Sequence, residues 1–396
     1  MENKKRIHLF FYFVATKLLL RHEETIATSR GNKFHDLQHV SYIYILLPFY
    51  GSHLTFFNYL CTISMHIYTI FMGRIPKSGF SVNLLKDRTR VLHYKYKLIA
   101  MLKKISLVLF ALLMIAGGTA EAKKWQAKHV IFLGLDGWGS YSLSNIPNLQ
   151  EMMDNGCYTL KKRTVIPSDS GPNWAAMFNG APVEMSGFSS NSGKLDFYPV
   201  YANEHGMYPT IFYLFRQAYP EAEMGCIMEW GGIRPLVDEK SFSYIEKTSS
   251  SEVGCREWLD MTNKYIKEKK PAFLFVHVDQ IDHSGHSNGH RTAEYDKTVS
   301  MIDGMVGEVV KAVKDAGIFD DTIFVIVSDH GGMKTGHGGT TMDEMETAFI
   351  ICGKGVKKGV VIEEPMVQFD VAPTIAKIFN LKAPGCWRGK AMDVFK

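Results

Sequence analysis

The sequence predicts an α/β protein, a doubly wound and mostly parallel sheet flanked by helices, and three observations predict it. The runs HVIFLGL (His129–Leu135), AFLFVHV (272–278) and TIFVIV (Thr322–Val327) are short and almost wholly apolar, the make-up of strands covered on both faces. Residues 294–314 place Tyr295, Val299, Ile302, Val306, Val309, Val310 and Val313 at three- and four-residue steps, which makes one apolar helix face. Strands alternating with helices in this way wind a parallel sheet on both sides.

Before the first of these strands the chain has a different character. Residues 1–122 hold 16 Lys and Arg against 6 Asp and Glu, leaving 29 against 34 for the rest. The overall charge of +5 therefore conceals a basic head and an acidic body, and the body has no surplus of cations with which to follow a nucleic-acid strand. From Met101 the sequence reads MLKKISLVLFALLMIAGGTAEAKK: two lysines, an apolar run over 105–116, then Ala120-Glu121-Ala122. That is the layout of a secretory signal peptide with an A-x-A cleavage site, and the run is too short to cross a bilayer. A signal of this type works from an N-terminus. The expectation is that translation starts at Met101, that 1–100 is upstream sequence read through, that 101–122 is removed, and that 123–396 is one large α/β domain. If the head were genuine, 54–72 would be its membrane span, a poor one because Asn58 and His66 lie inside it. No cysteine follows Ala122 to take a lipid, so the mature protein is expected to be periplasmic or secreted with no stable membrane anchor. Its five cysteines, Cys157, Cys226, Cys255, Cys352 and Cys386, leave at least one thiol unpaired, and none has CxxC spacing.

Each of the three strands runs into acid at or just after its end: Asp136 in LGLDGWG, Asp279 and Asp282 in HVDQIDHSGHSNGH, Asp329 in IVSDHGG. Ligands of open α/β sheets bind beyond the carboxyl ends of the strands, so these carboxylates should converge. Several carboxylates cannot stay ionised together without a cation. Histidines arrive at the same places, with His283 and His286 beside Asp282, His330 beside Asp329, and His337 in GHGG. Asp and His without cysteine suit zinc better than magnesium or manganese. Singly, an Asp at a strand end is as well explained by a helix cap and a His by the core; clustering is what favours a site.

A nucleophile is available in TVIPSDSGPNWAAMFNG, where Ser170 precedes Gly171-Pro172 and Trp174 to Asn179 read as the first turns of a helix with Pro172 near N1. A serine there meets the positive end of the helix, although Ser168 or Ser170 could equally be a plain N-cap. The region 189–251, with its aromatics, Gly231-Gly232 and serine-rich end, fits the strand-and-helix pattern less well and reads as an insertion roofing a pocket.

With these residues in place, 129–395 resembles the alkaline phosphatase superfamily, and within it the type I phosphodiesterase/nucleotide pyrophosphatase branch. The resemblance implies that Asp136, Ser170, Asp329 and His330 hold one zinc and that Asp282, His286 and His337 hold a second, Asp282 rather than Asp279 matching the D-x-x-x-H spacing. It implies that Ser170 attacks phosphorus to give a covalent phosphoserine, and that Asn191, 21 residues further on, contacts a phosphoryl oxygen together with the amide near Gly171. The branch commonly has threonine where Ser170 stands. A sulfatase would need arginine two residues after Pro172, where Trp174 stands. One monoesterase group would place a carboxylate at His277, and another a Lys-x-Arg pair between Asn191 and Asp282; neither is present. The expected activity is therefore hydrolysis of a small phosphorylated substrate, a diester or pyrophosphate before a monoester or sulfate ester, with a binding protein that does not turn over as the alternative outside enzymology.

Overall fold

The computed structural model describes residues 125–396. The head, the signal peptide and its cleavage point lie outside the described residues. Eight strands form one sheet: β1 His129–Leu135, β2 Gly156–Arg163, β3 Met224–Met228, β4 Tyr244–Lys247, β5 Phe273–Val278, β6 Thr322–Val327, β7 Glu346–Gly353 and β8 Val360–Val361. Their spatial order is β4-β3-β5-β1-β6-β7-β2-β8, and β7 alone runs against its neighbours. The main helices are α1 Pro147–Asp154, α2 Ser170–Asn179, α3 Ile211–Ala218, α4 Glu257–Lys269, α5 Gln280–Asn288, α6 Ala293–Asp315 and α7 Val371–Ile378.

The three strands expected from sequence are the centre of this sheet. β1 lies between β5 and β6, with Val130 opposite both Phe273 and Ile323. Successive residues bury on opposite faces: Val130, Phe132, Phe275 and Val325 belong to one apolar layer, Ile131, Leu133, Val276 and Ile326 to the other. This explains the lack of alternation in their sequences, since a strand covered on both sides has no polar face. α6 closes the second layer with Tyr295, Val299, Ile302, Val306, Val309 and Val313, and Thr292 caps it by accepting from the Tyr295 amide at 3.2 Å.

One segment departs from the sequence reading. Within 189–251, the part from Ile211 onward returns α3, β3 and β4 to the regular architecture, so the irregular excursion is the shorter stretch before it. α2 begins at Ser170, and Pro172 sits in its first turn as expected, where a missing N–H costs no hydrogen bond. The five described cysteines are all free thiols. Among the described residues no helix is long and apolar enough to cross a membrane.

Candidate active site

At the carboxyl ends of β1, β5 and β6 the chain leaves the sheet through Asp136, through Asp279 into α5, and through Ser328 and Asp329. The β1 turn is made by Gly137, whose φ of +70° and whose closeness to Asp282, 2.6 Å from where a Cβ would stand to the Asp282 Cβ, both exclude a side chain. Asp282 lies on the first turn of α5 and His286 one turn later. Ser170, at the start of α2, enters from the other side of the sheet order.

The sequence-derived ligands Asp136, Asp282, Asp329, His330 and His337 come together with Ser170. His330 Nε2 stands 3.1 Å from Ser170 Oγ, 3.2 Å from Asp329 Oδ2 and 3.5 Å from Asp136 Oδ1. His337 Nε2 is 3.9 Å from Asp282 Oδ1, and the rings of His330 and His337 stack with centroids 3.8 Å apart. His286 closes the outer side, its Nε2 3.2 Å from Asp282 Oδ2, and it is the most exposed member. Asp136, Asp329 and His330 form one compact group of donors and Asp282, His330 and His337 another, so His330 borders both rather than the first alone.

Each histidine is oriented the same way. The Nδ1 of His330 faces the Gly331 carbonyl at 2.9 Å, that of His286 the Thr335 carbonyl at 2.8 Å, and that of His337 the Asp169 carboxylate at 3.1 Å and the Ser168 carbonyl at 3.3 Å. An acceptor at Nδ1 takes one ring proton, so that in the neutral form each ring offers its Nε2 lone pair to the centre, the arrangement a metal-ligating imidazole needs.

The carboxylates show the complementary pattern, one oxygen tethered and the other left over. Asp136 Oδ2 accepts from Trp174 Nε1 at 2.9 Å and from His277 Nε2 at 2.8 Å, and Asp329 Oδ1 accepts from the Gly137 amide at 3.0 Å. Asp136 Oδ1, Asp329 Oδ2 and Asp282 Oδ1 are buried with no hydrogen-bond partner among the described residues. Burial, then the charges of Asp329, Asp282 and Asp279, push the Asp136 carboxyl well above its ordinary value. Asp279 is raised to about 6, chiefly by burial and by Asp282. At Asp282 burial acts in the same direction, yet the His286 hydrogen bond and the charges of His330 and His337 outweigh it and hold the group low. His286 in turn is raised to about 9 by its bond to Asp282. Buried carboxylate oxygens without donors, facing imidazole lone pairs, fit divalent cations of the zinc type.

Beneath the ligands lies a layer that sequence reasoning missed. Lys162, wholly buried on β2, donates to the Ser328 carbonyl at 2.8 Å and to Gln368 Oε1, while Gln368 Nε2 donates to the Asp329 carbonyl at 2.5 Å. Burial pulls the Lys162 ammonium well below its ordinary pKa. Glu229 accepts from the Asp279 amide at 2.7 Å and from Gln280 Nε2 at 2.8 Å, fixing the turn into α5. His277 had been singled out as the place of a missing carboxylate, and it proves to be a donor to Asp136 instead.

Asn191 sits on the excursion that passes over α2, and its Oδ1 accepts from the Gly171 amide at 2.6 Å. That amide is thereby engaged by Asn191, whereas the sequence reading has both groups donating to a phosphoryl oxygen. The Asn191 loop is held by Asp196, which accepts from the Ser189 amide at 2.9 Å and from the hydroxyls of Ser189, Ser190 and Ser192 at 2.8–3.1 Å.

Comparison with known proteins shows what the chain is similar to. Human ectonucleotide pyrophosphatase/phosphodiesterase family member 1 is 24% identical over 207 residues, 49% of this chain and 21% of that protein. Arylsulfatase K of Danio rerio is 25% identical over 38% of this chain and 29% of its own length. The chain thus spans about a fifth to under a third of the length of these curated relatives. Among solved structures, murine ectonucleotide pyrophosphatase/phosphodiesterase 5, as an inactive variant in complex with AMP, superposes with a TM-score of 0.56 at 15% identity, covering 66% of this chain and 97% of that one. A 2-O GAG sulfatase superposes at 0.53 with 16% identity, covering 67% and 73%. The family model for type I phosphodiesterase / nucleotide pyrophosphatase matches residues 130–350, more than half of the chain, and on that match the chain belongs to this family.

Proposed function

We propose that the chain is an exported two-metal phosphoric ester hydrolase that cleaves small phosphodiesters or nucleotide pyrophosphates, with Ser170 as the group that accepts the phosphoryl. The observation that carries this is His330 Nε2, 3.1 Å from Ser170 Oγ and at the same time 3.2 Å and 3.5 Å from Asp329 Oδ2 and Asp136 Oδ1, carboxylate oxygens left without donors. Asp136, Ser170, Asp329 and His330 would hold one ion and Asp282, His286 and His337 the other. Two bound zinc ions would favour the ionised serine and neutralise charge on the transferring phosphoryl group.

The residues of the chain do the rest. Ser170 lies in the first turn of α2, where the helix N-terminus favours an anion. Its attack forms the Ser170 Oγ–P bond and breaks the bond to the leaving oxygen, which departs with a proton as the first product; water then cleaves the phosphorylated serine, which still carries the other ester group, releasing the phosphomonoester and restoring the hydroxyl. Asn191 Nδ2, left over when Oδ1 accepts from the Gly171 amide, would donate to a non-bridging oxygen as charge builds there. The relative solved with AMP supports a nucleotide-type substrate.

The sulfatases among the relatives share the scaffold, but Ser170-Gly171-Pro172-Asn173-Trp174 lacks the arginine that the sulfatase motif requires. Rates with bis(p-nitrophenyl) phosphate, p-nitrophenyl phosphate and p-nitrophenyl sulfate test the proposal on zinc-loaded protein. The diester should turn over fastest. Preference for the sulfate, or zinc binding without turnover of any of the three, would overturn it.

A further inference from the structure

Asp169 occupies the N-cap position of α2 with extended backbone, φ −101° and ψ 158°, and aspartate is among the best residues for that position. Its side chain nevertheless makes no capping hydrogen bond. The carboxylate turns away from the helix and lies 3.1 Å from His337 Nδ1. Room for it is provided across the loop: Gly338 has φ +101°, and a Cβ there would stand 2.7 Å from Asp169 Oδ1. The helix thus forgoes a cap worth about 1 kcal/mol, and the residue that could have supplied it is aimed at a histidine of the centre.

His330 and His286 direct Nδ1 at main-chain carbonyls, whereas His337 alone among the three has a carboxylate. We infer that Asp169 is a positioning residue for His337, a charged outer partner that fixes its ring and raises the basicity of Nε2, so tying the Asp282–His286–His337 half of the centre to the helix that presents Ser170. The inference rests on the two-metal reading above. Outer partners of this type, when removed, cost about 10–100-fold in metal affinity. The Ser168 carbonyl, 3.3 Å from the same Nδ1, keeps the tautomer when the carboxylate is gone, so the expected loss lies toward the lower end of that range.

The test uses Asp169→Ser, which keeps an N-cap residue but cannot reach His337, and Asp169→Asn, which keeps the shape and loses the charge. Zinc is titrated into chelator-stripped protein against a competing chromophoric chelator, and the melting midpoint is followed without metal. Asp169→Ser should melt near the wild type and bind one of its two zinc equivalents about tenfold more weakly, the other being unchanged; Asp169→Asn should show a smaller loss at the same site. Wild-type affinity at both sites in either variant would overturn the inference, as would an equal weakening at both sites together with a lower melting midpoint. A wild-type protein that takes up fewer than two equivalents refutes the two-metal reading itself, a result distinct from either of these.

Discussion

Ser168 and Ser170, two residues apart, are predicted to fail in opposite ways when changed to alanine. Ser170 Oγ has His330 Nε2 as its contact, at 3.1 Å, and as the first residue of α2 rather than its cap it takes no capping bond with it. Ser170→Ala should therefore alter stability by no more than about 1 kcal/mol, the net worth of one hydrogen bond. Turnover loses its phosphoryl acceptor, and kcat for the diester should fall by at least about 10³-fold, equivalent to about 4 kcal/mol of transition-state stabilisation. Ser168 is fully buried; its Oγ donates to the Gly339 carbonyl at 2.8 Å and accepts from the Gly338 amide at 3.1 Å, and these bonds hold the loop that carries His337. Ser168→Ala leaves both groups unpaired and should cost about 1–3 kcal/mol. It should also loosen His337, so that its activity recovers when zinc is raised, while that of Ser170→Ala does not. Thermal melting and steady-state kinetics at several zinc concentrations measure all of this. Turnover of Ser170→Ala within about tenfold of wild type, or its rescue by zinc, would refute the assignment of the nucleophile.

Stripping the protein with a chelator should abolish activity, zinc should restore it best, and saturating zinc should raise Tm by roughly 20 °C, since each of two sites filled at a thousand times its Kd adds about 4 kcal/mol. Elemental analysis of His337→Ala should find one ion retained by the Asp136–Asp329 side; full metal content would contradict the division of ligands. Trp174→Phe keeps the ring in its place but removes a donor from Asp136 Oδ2, and should weaken metal at that same side about tenfold with little effect on the other. An unchanged affinity there would show that His277 alone suffices. Burial pushes the Glu229 carboxyl up to about 8, against the bonds from Gln280 and the Asp279 amide. The folded state then binds the extra proton between the unfolded value near 4.3 and about 8, so stability falls as pH rises through that window and the penalty is complete above it. Glu229→Gln at saturating zinc should lose this decline, and melting curves whose pH dependence matches the wild type would exclude Glu229 as its source.

The parts of the fold that could be read in the sequence are those whose burial is symmetric. β1, β5 and β6 are covered on both faces, so a bare apolar run identifies them. β2, in contrast, reads GCYTLKKR and contains a lysine that is fully buried because Ser328 and Gln368 receive it. No local rule makes such a residue a strand interior, since its partners are 166 and 206 positions away. β3, five residues with Gly225 in second place, and the half-exposed β4 carry equally little periodic signal, which is why the stretch containing them reads as an insertion.

The same distinction runs through the centre itself. Residue type and strand-end position are local properties, and they nominate Asp136, Asp279, Asp282 and Asp329 with the histidines near them; preferring Asp282 to Asp279 rests on the family resemblance. Which oxygen of each carboxylate is available is a non-local property. Asp136 turns Oδ1 inward because Trp174, 38 residues on, and His277, 141 residues on, occupy Oδ2; Asp329 turns Oδ2 inward because the Gly137 amide, 192 residues away, occupies Oδ1. The outer partners therefore decide the geometry of ligands that the sequence can only nominate. In the motif SDSGP, Asp169 illustrates the limit: by sequence it is a good helix cap, and only the approach of the Gly338 loop, bringing His337 to within 3.1 Å, gives its carboxylate another use. Substitutions at such positions should leave the fold in place and act on metal affinity, which is the quantity that separates a cap from a partner of the centre.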